Sequence, residues 1–160
     1  MWAASDVYVR CDTVFPVLTS RYNSMTLRIV PRNILLPIRI LIVDDSPLVR
    51  RGIRGCIQNN TDWEICGEAD DGQSAVEMVS RLKPDLVILD LSMPIMNGLD
   101  AARTISRISP ETHMVMFTML DCNDLLKSSA EAVGIRHIFS KTHGFSDQVL
   151  DKIRSLVAAA

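Results

Sequence analysis

Hydrophobic positions along this chain cluster in short, nearly continuous runs, separated by stretches whose apolar residues recur at helical spacing. The densest run is Leu86-Val87-Ile88-Leu89, entered from Asp85, closed by Asp90 and followed by a turn signature from Pro94 to Gly98. A short apolar run between turn signals reads as a strand buried on both faces. Ile38 to Val43, rich in β-branched residues, reads as an earlier strand ending in Asp44-Asp45. Trp63 to Glu68 is a weaker one, interrupted by Glu64. His113 to Leu120, carrying Thr118, and Arg136 to Ser140, followed by Lys141, complete the set.

The intervening stretches predict helices. Ser46-Pro47 is an N-cap followed by proline at the first helical position, and this helix should run to about Gln58. Val49, Ile53 and Ile57 form its inward row, with Leu48, Gly52 and Cys56 adjacent. Arg50, Arg51 and Arg54 fall on the other side, as a solvated face. Gln73 to Leu82 places Val76 and Val79 inward. Leu99 to about Arg107 does the same with Leu99, Ala102 and Ile105. A helix from Asp121 to Val133 should end at Gly134 as a left-handed cap. Phe145, Val149, Ile153 and Leu156 or Val157 mark the last. Strands alternating with helices imply right-handed crossovers and a parallel sheet covered on both faces. For five strands, the expected fold is a flavodoxin-like (βα)5 doubly wound α/β sheet of order 2-1-3-4-5.

Composition bounds this picture without changing it. The chain has 160 residues, 48% apolar and 22% charged, enough for one domain with a real core. Residues 1–37 show no period and are broken by Pro16, Pro31 and Pro37, so they read as a poorly ordered extension. Residues 38–158 read as the folded domain. A start at Met25 would leave only a short leader. The net charge of −2 divides into +2 for residues 1–37 and −4 for the remainder. Neither part calls for nucleic-acid binding. Cys11, Cys56, Cys66 and Cys122 have no paired or zinc-like spacing, as expected of free thiols in a reducing cytoplasm. No apolar run approaches the roughly 20 residues of a membrane span.

The chemistry follows from the topology. In order 2-1-3-4-5, the first and third strands are neighbours, and ligands bind beyond the carboxyl ends of the strands at that point. Asp44 and Asp45 then come beside Asp90. Three carboxylates there repel each other unless a divalent cation joins them. Mg²⁺ suits Asp45 and Asp90, with Asp44 direct or through water and the backbone carbonyl of Ser92 as a further oxygen. A carboxylate so placed can attack a phosphoryl group. Thr118 and Lys141, each at a neighbouring strand end, can supply a donor and a countercharge.

Asp44-Asp45, Asp90, Thr118 and Lys141, each at its strand end, resemble the five-residue site of the response-regulator receiver domain. The stretches Ile40 to Pro47, and Leu89 to Pro94 through Asn97-Gly98-Leu99, agree with it. The resemblance covers about residues 38–157. It implies that Asp90 accepts phosphate from a histidine kinase or phosphotransfer protein, with Mg²⁺ required, and that the chain is a signalling switch rather than an enzyme. Homodimerisation stays open, while direct nucleic-acid binding and membrane association are not expected. Trp63 to Asp71 and Thr118-Met119 resemble the subfamily whose members carry a C-terminal LuxR-type helix-turn-helix. Two other classes compete. A receiver-like interaction module would not take phosphate. An aspartyl-nucleophile phosphatase wants a second Asp where Ser92 stands. Two positions depart from the family pattern. Ile138 stands where an aromatic residue swings inward on activation, with Phe139 expected on the opposite side, and Thr142 replaces the proline that often follows the lysine.

Overall fold

The computed structural model describes residues 16–17, 28–29, 37–120 and 122–158. The chain divides into two units, Met1–Leu36 and Pro37–Ala160. In the first, Pro16–Val17 and Arg28–Ile29 pair antiparallel as two-residue strands. The poor order expected of the extension concerns residues that otherwise lie outside the described ones.

The second unit alternates strands and helices as the hydrophobic pattern requires. In chain order they are β1 (Arg39–Val43), α1 (Pro47–Asn60), β2 (Glu64–Ala69), α2 (Gly72–Leu82), β3 (Leu86–Leu89) and α3 (Gly98–Ile108). β4 (His113–Thr118), α4 (Asp124–Ala132), β5 (Ile135–Ser140), a 3-10 turn (Lys141–His143) and α5 (Asp147–Ala158) follow. The strands form one parallel sheet in the order β2-β1-β3-β4-β5. This is the expected flavodoxin-like 2-1-3-4-5 arrangement.

Alternation along the strands builds two cores from one set of apolar runs. Leu41, Val43, Val87, Leu89, Met114 and Met116 point to one face and pack against α2, α3 and α4 through Ala75, Val79, Ala102, Ile105 and Ala130. Ile40, Ile42, Leu86, Ile88, Val115 and Phe117 point to the other, under Ile53 and Ile57 of α1 and Val149, Leu150 and Ile153 of α5. Phe145 meets Phe117 edge-on, with ring centroids 5.3 Å apart. Ile138 and Phe139 separate between the two faces as the period of two demands.

Helix starts follow the capping residues. Ser46 accepts from Val49 N–H ahead of Pro47, Asp71 from Gln73 and Ser74, Asn97 from Asp100, and Asn123 from Leu126. Asn123 explains one difference from the sequence reading. β4 ends at Thr118 and α4 begins at Asp124, so Met119 and Leu120 are exposed loop rather than strand. Leu48 is exposed too, because only the row of Ile53 and Ile57 is buried in α1. Gly134 has the expected positive φ, 88°, just past α4.

Candidate functional site

β1 and β3 run side by side with Val43 opposite Leu89, so the residues that follow them emerge together. The Asp90 N–H donates to the Val43 carbonyl at 2.8 Å, and the Asp44 N–H to the Ala69 carbonyl at 3.1 Å. These bonds extend the ladder by one step and fix both backbones before the chain turns away. One carboxylate oxygen from each of Asp44, Asp45 and Asp90 lies within 4.8 Å of the others. Asp44 and Asp90 are buried, while Asp45 faces solvent.

Lys141 closes the group from the end of β5. Its Nζ lies 2.6 Å from Asp44 Oδ2 and 3.0 Å from Asp90 Oδ2, with the lysine side chain only 9% exposed. The remaining oxygens of these two aspartates are held by backbone. Ser46 N–H donates to Asp44 Oδ1 at 2.9 Å, and Leu91 N–H to Asp90 Oδ1 at 2.7 Å. Charge-assisted bonds of this kind are the stronger class of hydrogen bond. Burial pushes the Asp90 carboxyl above its ordinary value, and the Asp44 charge adds to the rise. The Lys141 hydrogen bond and charge and the Leu91 N–H oppose it. Thr118 is buried at the end of β4, two residues beyond Met116, the partner of Leu89. Its hydroxyl accepts from Leu120 N–H at 3.3 Å.

The loop from Leu91 to Asn97 is pinned at both ends. Gly98 N–H donates to the Leu91 carbonyl at 2.9 Å, and Gly72 N–H to the Met96 carbonyl at 3.1 Å. Ser92, the expected carbonyl ligand, lies exposed in this loop. The donor set suits a divalent cation of hard character. It consists of carboxylate oxygens on one rim, two of which already draw a lysine ammonium into the interior, with the third open to water.

The structure thus brings Asp44, Asp45, Asp90 and Lys141 together and sets Thr118 on the adjacent strand end. Sequence reasoning missed Arg50. Rather than a solvated cation, it is a half-buried side chain whose Nη1 donates to the Asp44 carbonyl at 2.6 Å and whose Nε donates to Glu68 at 3.1 Å. Arg54 binds the same carboxylate. No local spacing announces this, because Glu68 comes from β2.

The family model described as the response regulator receiver domain matches residues 40–154. An uncharacterized transcriptional regulatory protein of Bacillus subtilis, YxjL, is 32% identical over 118 residues, 74% of this chain and 53% of that protein. The chain therefore spans about half of that relative's length. The response regulator domain of Thermotoga maritima CheB superposes with a TM-score of 0.70 at 31% identity, covering 77% of this chain and 98% of that one. A two-component response regulator of the LuxR family from Aurantimonas superposes with a TM-score of 0.71 at 26% identity, covering 78% and 87%.

Proposed function

This chain belongs to the response regulator receiver domain family, and on that premise we propose that Asp90 is the phosphoacceptor of a two-component phosphorelay. The observation that carries the reading is the Asp90 carboxylate, buried at the end of the central strand and shared between Lys141 and the acidic pair. The domain proper comprises residues 38–158. The donor is a phosphohistidine on a sensor kinase or phosphotransfer protein.

Asp90 acts as the nucleophile. An oxygen–phosphorus bond forms as the phosphorus–nitrogen bond breaks, and the electron pair leaves on the imidazole nitrogen. Burial strips water from the carboxylate and raises its pKa, and the Lys141 hydrogen bond and charge oppose that rise. Mg²⁺ held by Asp44, Asp45 and Asp90, with the Ser92 carbonyl as a further oxygen, supplies neutralisation of the phosphoryl charge when bound. Lys141 then turns from a counterion of the free carboxylate into a partner of the phosphoryl oxygens, and the Thr118 hydroxyl donates to them. These contacts exist only after transfer, so they bias a two-state equilibrium.

The similarity to a transcriptional regulator and to a LuxR-family response regulator supports a finer reading. The receiver is of the kind that governs a DNA-binding output module, and phosphorylation relieves or creates a contact with it. Incubation with acetyl phosphate and Mg²⁺ followed by intact mass measurement tests the acceptor. One phosphoryl group should add to the parent and none to Asp90→Asn, and a labelled Asp90→Asn would overturn the assignment.

A further inference from the structure

Arg50 sits in the first turn of α1, where a cation opposes the helix macrodipole and an acidic residue is the favoured choice. No acidic side chain occupies that turn. The arginine folds back over the helix start instead. Nη1 donates to the carbonyl of Asp44 at 2.6 Å, while Nε donates to Glu68 Oε2 at 3.1 Å. Glu68 is itself anchored by Arg54, whose Nε lies 2.8 Å from Oε1. The guanidinium fork thus ties the peptide between Asp44 and Asp45 to the neighbouring strand.

That peptide matters because the two aspartates are held unequally. The Asp44 carboxylate has its own partners, Ser46 N–H and Lys141. Asp45 is exposed, with one carboxylate oxygen within 4.8 Å of those of Asp44 and Asp90, and its reach into the cluster depends on the direction in which its backbone leaves Asp44. Fixing the Asp44 carbonyl fixes the peptide plane from which Asp45 departs. We propose that Arg50 is a positioning residue for the acidic cluster, setting the approach of the Asp45 carboxylate to a divalent cation, with Glu68 as its anchor. This rests on the phosphoacceptor reading above.

The sign of the effect separates positioning from simple electrostatics. A guanidinium beside the cluster repels an incoming cation, so by charge alone its removal strengthens Mg²⁺ binding. Loss of positioning weakens it. Partners that orient metal ligands contribute in this way, and Arg50→Gln should raise the calorimetric Kd for Mg²⁺ about tenfold. Arg50→Lys keeps the charge but cannot span two acceptors. It should weaken binding in the same direction, and it carries the test if Arg50→Gln does not fold. Half-maximal labelling by acetyl phosphate should need correspondingly more Mg²⁺ in both variants, a shift that a merely structural role would not produce. A Kd that is unchanged or tighter in the variants, with or without a lower Tm, overturns the proposal. A parent that binds no Mg²⁺ overturns the phosphoacceptor reading itself, and this proposal with it.

Discussion

Gly98 lies so close to the backbone of Asp90 that a Cβ built on it would stand 2.1 Å from the Asp90 carbonyl oxygen. The first residue of α3 and the end of β3 are in direct backbone contact, which lets the loop between them return to the rim within a few residues. Any side chain at this position must push the acceptor strand or the helix away.

Gly98→Ala should therefore destabilise the fold by about 2–3 kcal/mol, the upper range for overpacking against an atom that cannot yield. It should also slow labelling of Asp90 in the fraction that folds, because the carboxylate moves with its backbone. Gly52→Ala is the matched control. Gly52 is exposed in α1, and a Cβ there would meet nothing within 4 Å. Alanine at this position should stabilise by up to about 1 kcal/mol. Urea denaturation of both variants checks the contrast.

Asp90→Asn should lose phosphorylation and yet gain stability in metal-free solution at neutral pH. Burial raises the Asp90 carboxyl above its ordinary 3.8, so the folded state binds that proton more tightly than the unfolded state. The contribution is favourable below the ordinary value and is lost as pH rises through the raised folded one. At neutral pH the charged carboxylate is thus a cost, which Asn removes. The stability gap between Asp90→Asn and parent should close as pH falls toward 3.8. Asp71 behaves oppositely, since hydrogen bonds from Ser74 and Gln73 lower its carboxyl, but it is common to both proteins and cancels. A gap that widens on acidification would contradict the argument.

Ile95 carries a backbone φ of 65° with its side chain 85% exposed. A β-branched residue in the left-handed region costs roughly 1–2 kcal/mol. Its side chain returns little, being in water. Ile95→Gly should stabilise by about 0.5–1 kcal/mol once the larger entropy loss of glycine is counted. A thermal melt showing a lower Tm would refute this balance.

The parts of the molecule visible in the sequence are those governed by local periodicity and by chain ends. Leu86 to Leu89 reads as a buried strand because every residue in it is apolar, and its place beside β1 follows from the flavodoxin-like order common to sheets of five alternating strands. Asp44, Asp45, Asp90 and Lys141 were legible because each closes a hydrophobic run, and parallel strands deliver all their ends to one rim. Contacts between elements were not legible. In the sequence Glu68 is only the last residue of a weak strand, and Arg50 one of three arginines on a solvated helix face. Only register between β1 and β2 brings them together. The exposed stretch at Met119 and Leu120 was misread as strand because apolar residues there continue the pattern without being buried. Its true boundary is set by Thr118 and Asn123, whose side chains bind backbone N–H groups within the loop and at the start of α4.

That boundary bears on how phosphorylation is read out. Thr118 is buried, and its hydroxyl is tied to Leu120 N–H at 3.3 Å. Rotation toward a phosphoryl group on Asp90 breaks or lengthens this bond, which transmits the change to a loop whose Met119 and Leu120 are already exposed and little held by packing. β5 offers a weaker lever. Ile138 is partly buried on the face of α2 to α4, branched and without a hydroxyl, so moving it alters little buried area and no hydrogen bond. Phe139 cannot replace it, because it packs on the opposite face. A beryllofluoride mimic at Asp90, with Mg²⁺, should therefore change amide exchange most between Met119 and Leu126, and least around Ile138. Thr118→Val should suppress the change in the loop while leaving phosphorylation of Asp90 in place, since the acceptor and Lys141 are untouched. Large exchange differences centred on Ile138 with a silent Met119 to Leu126 segment would show that the signal travels through β5 instead.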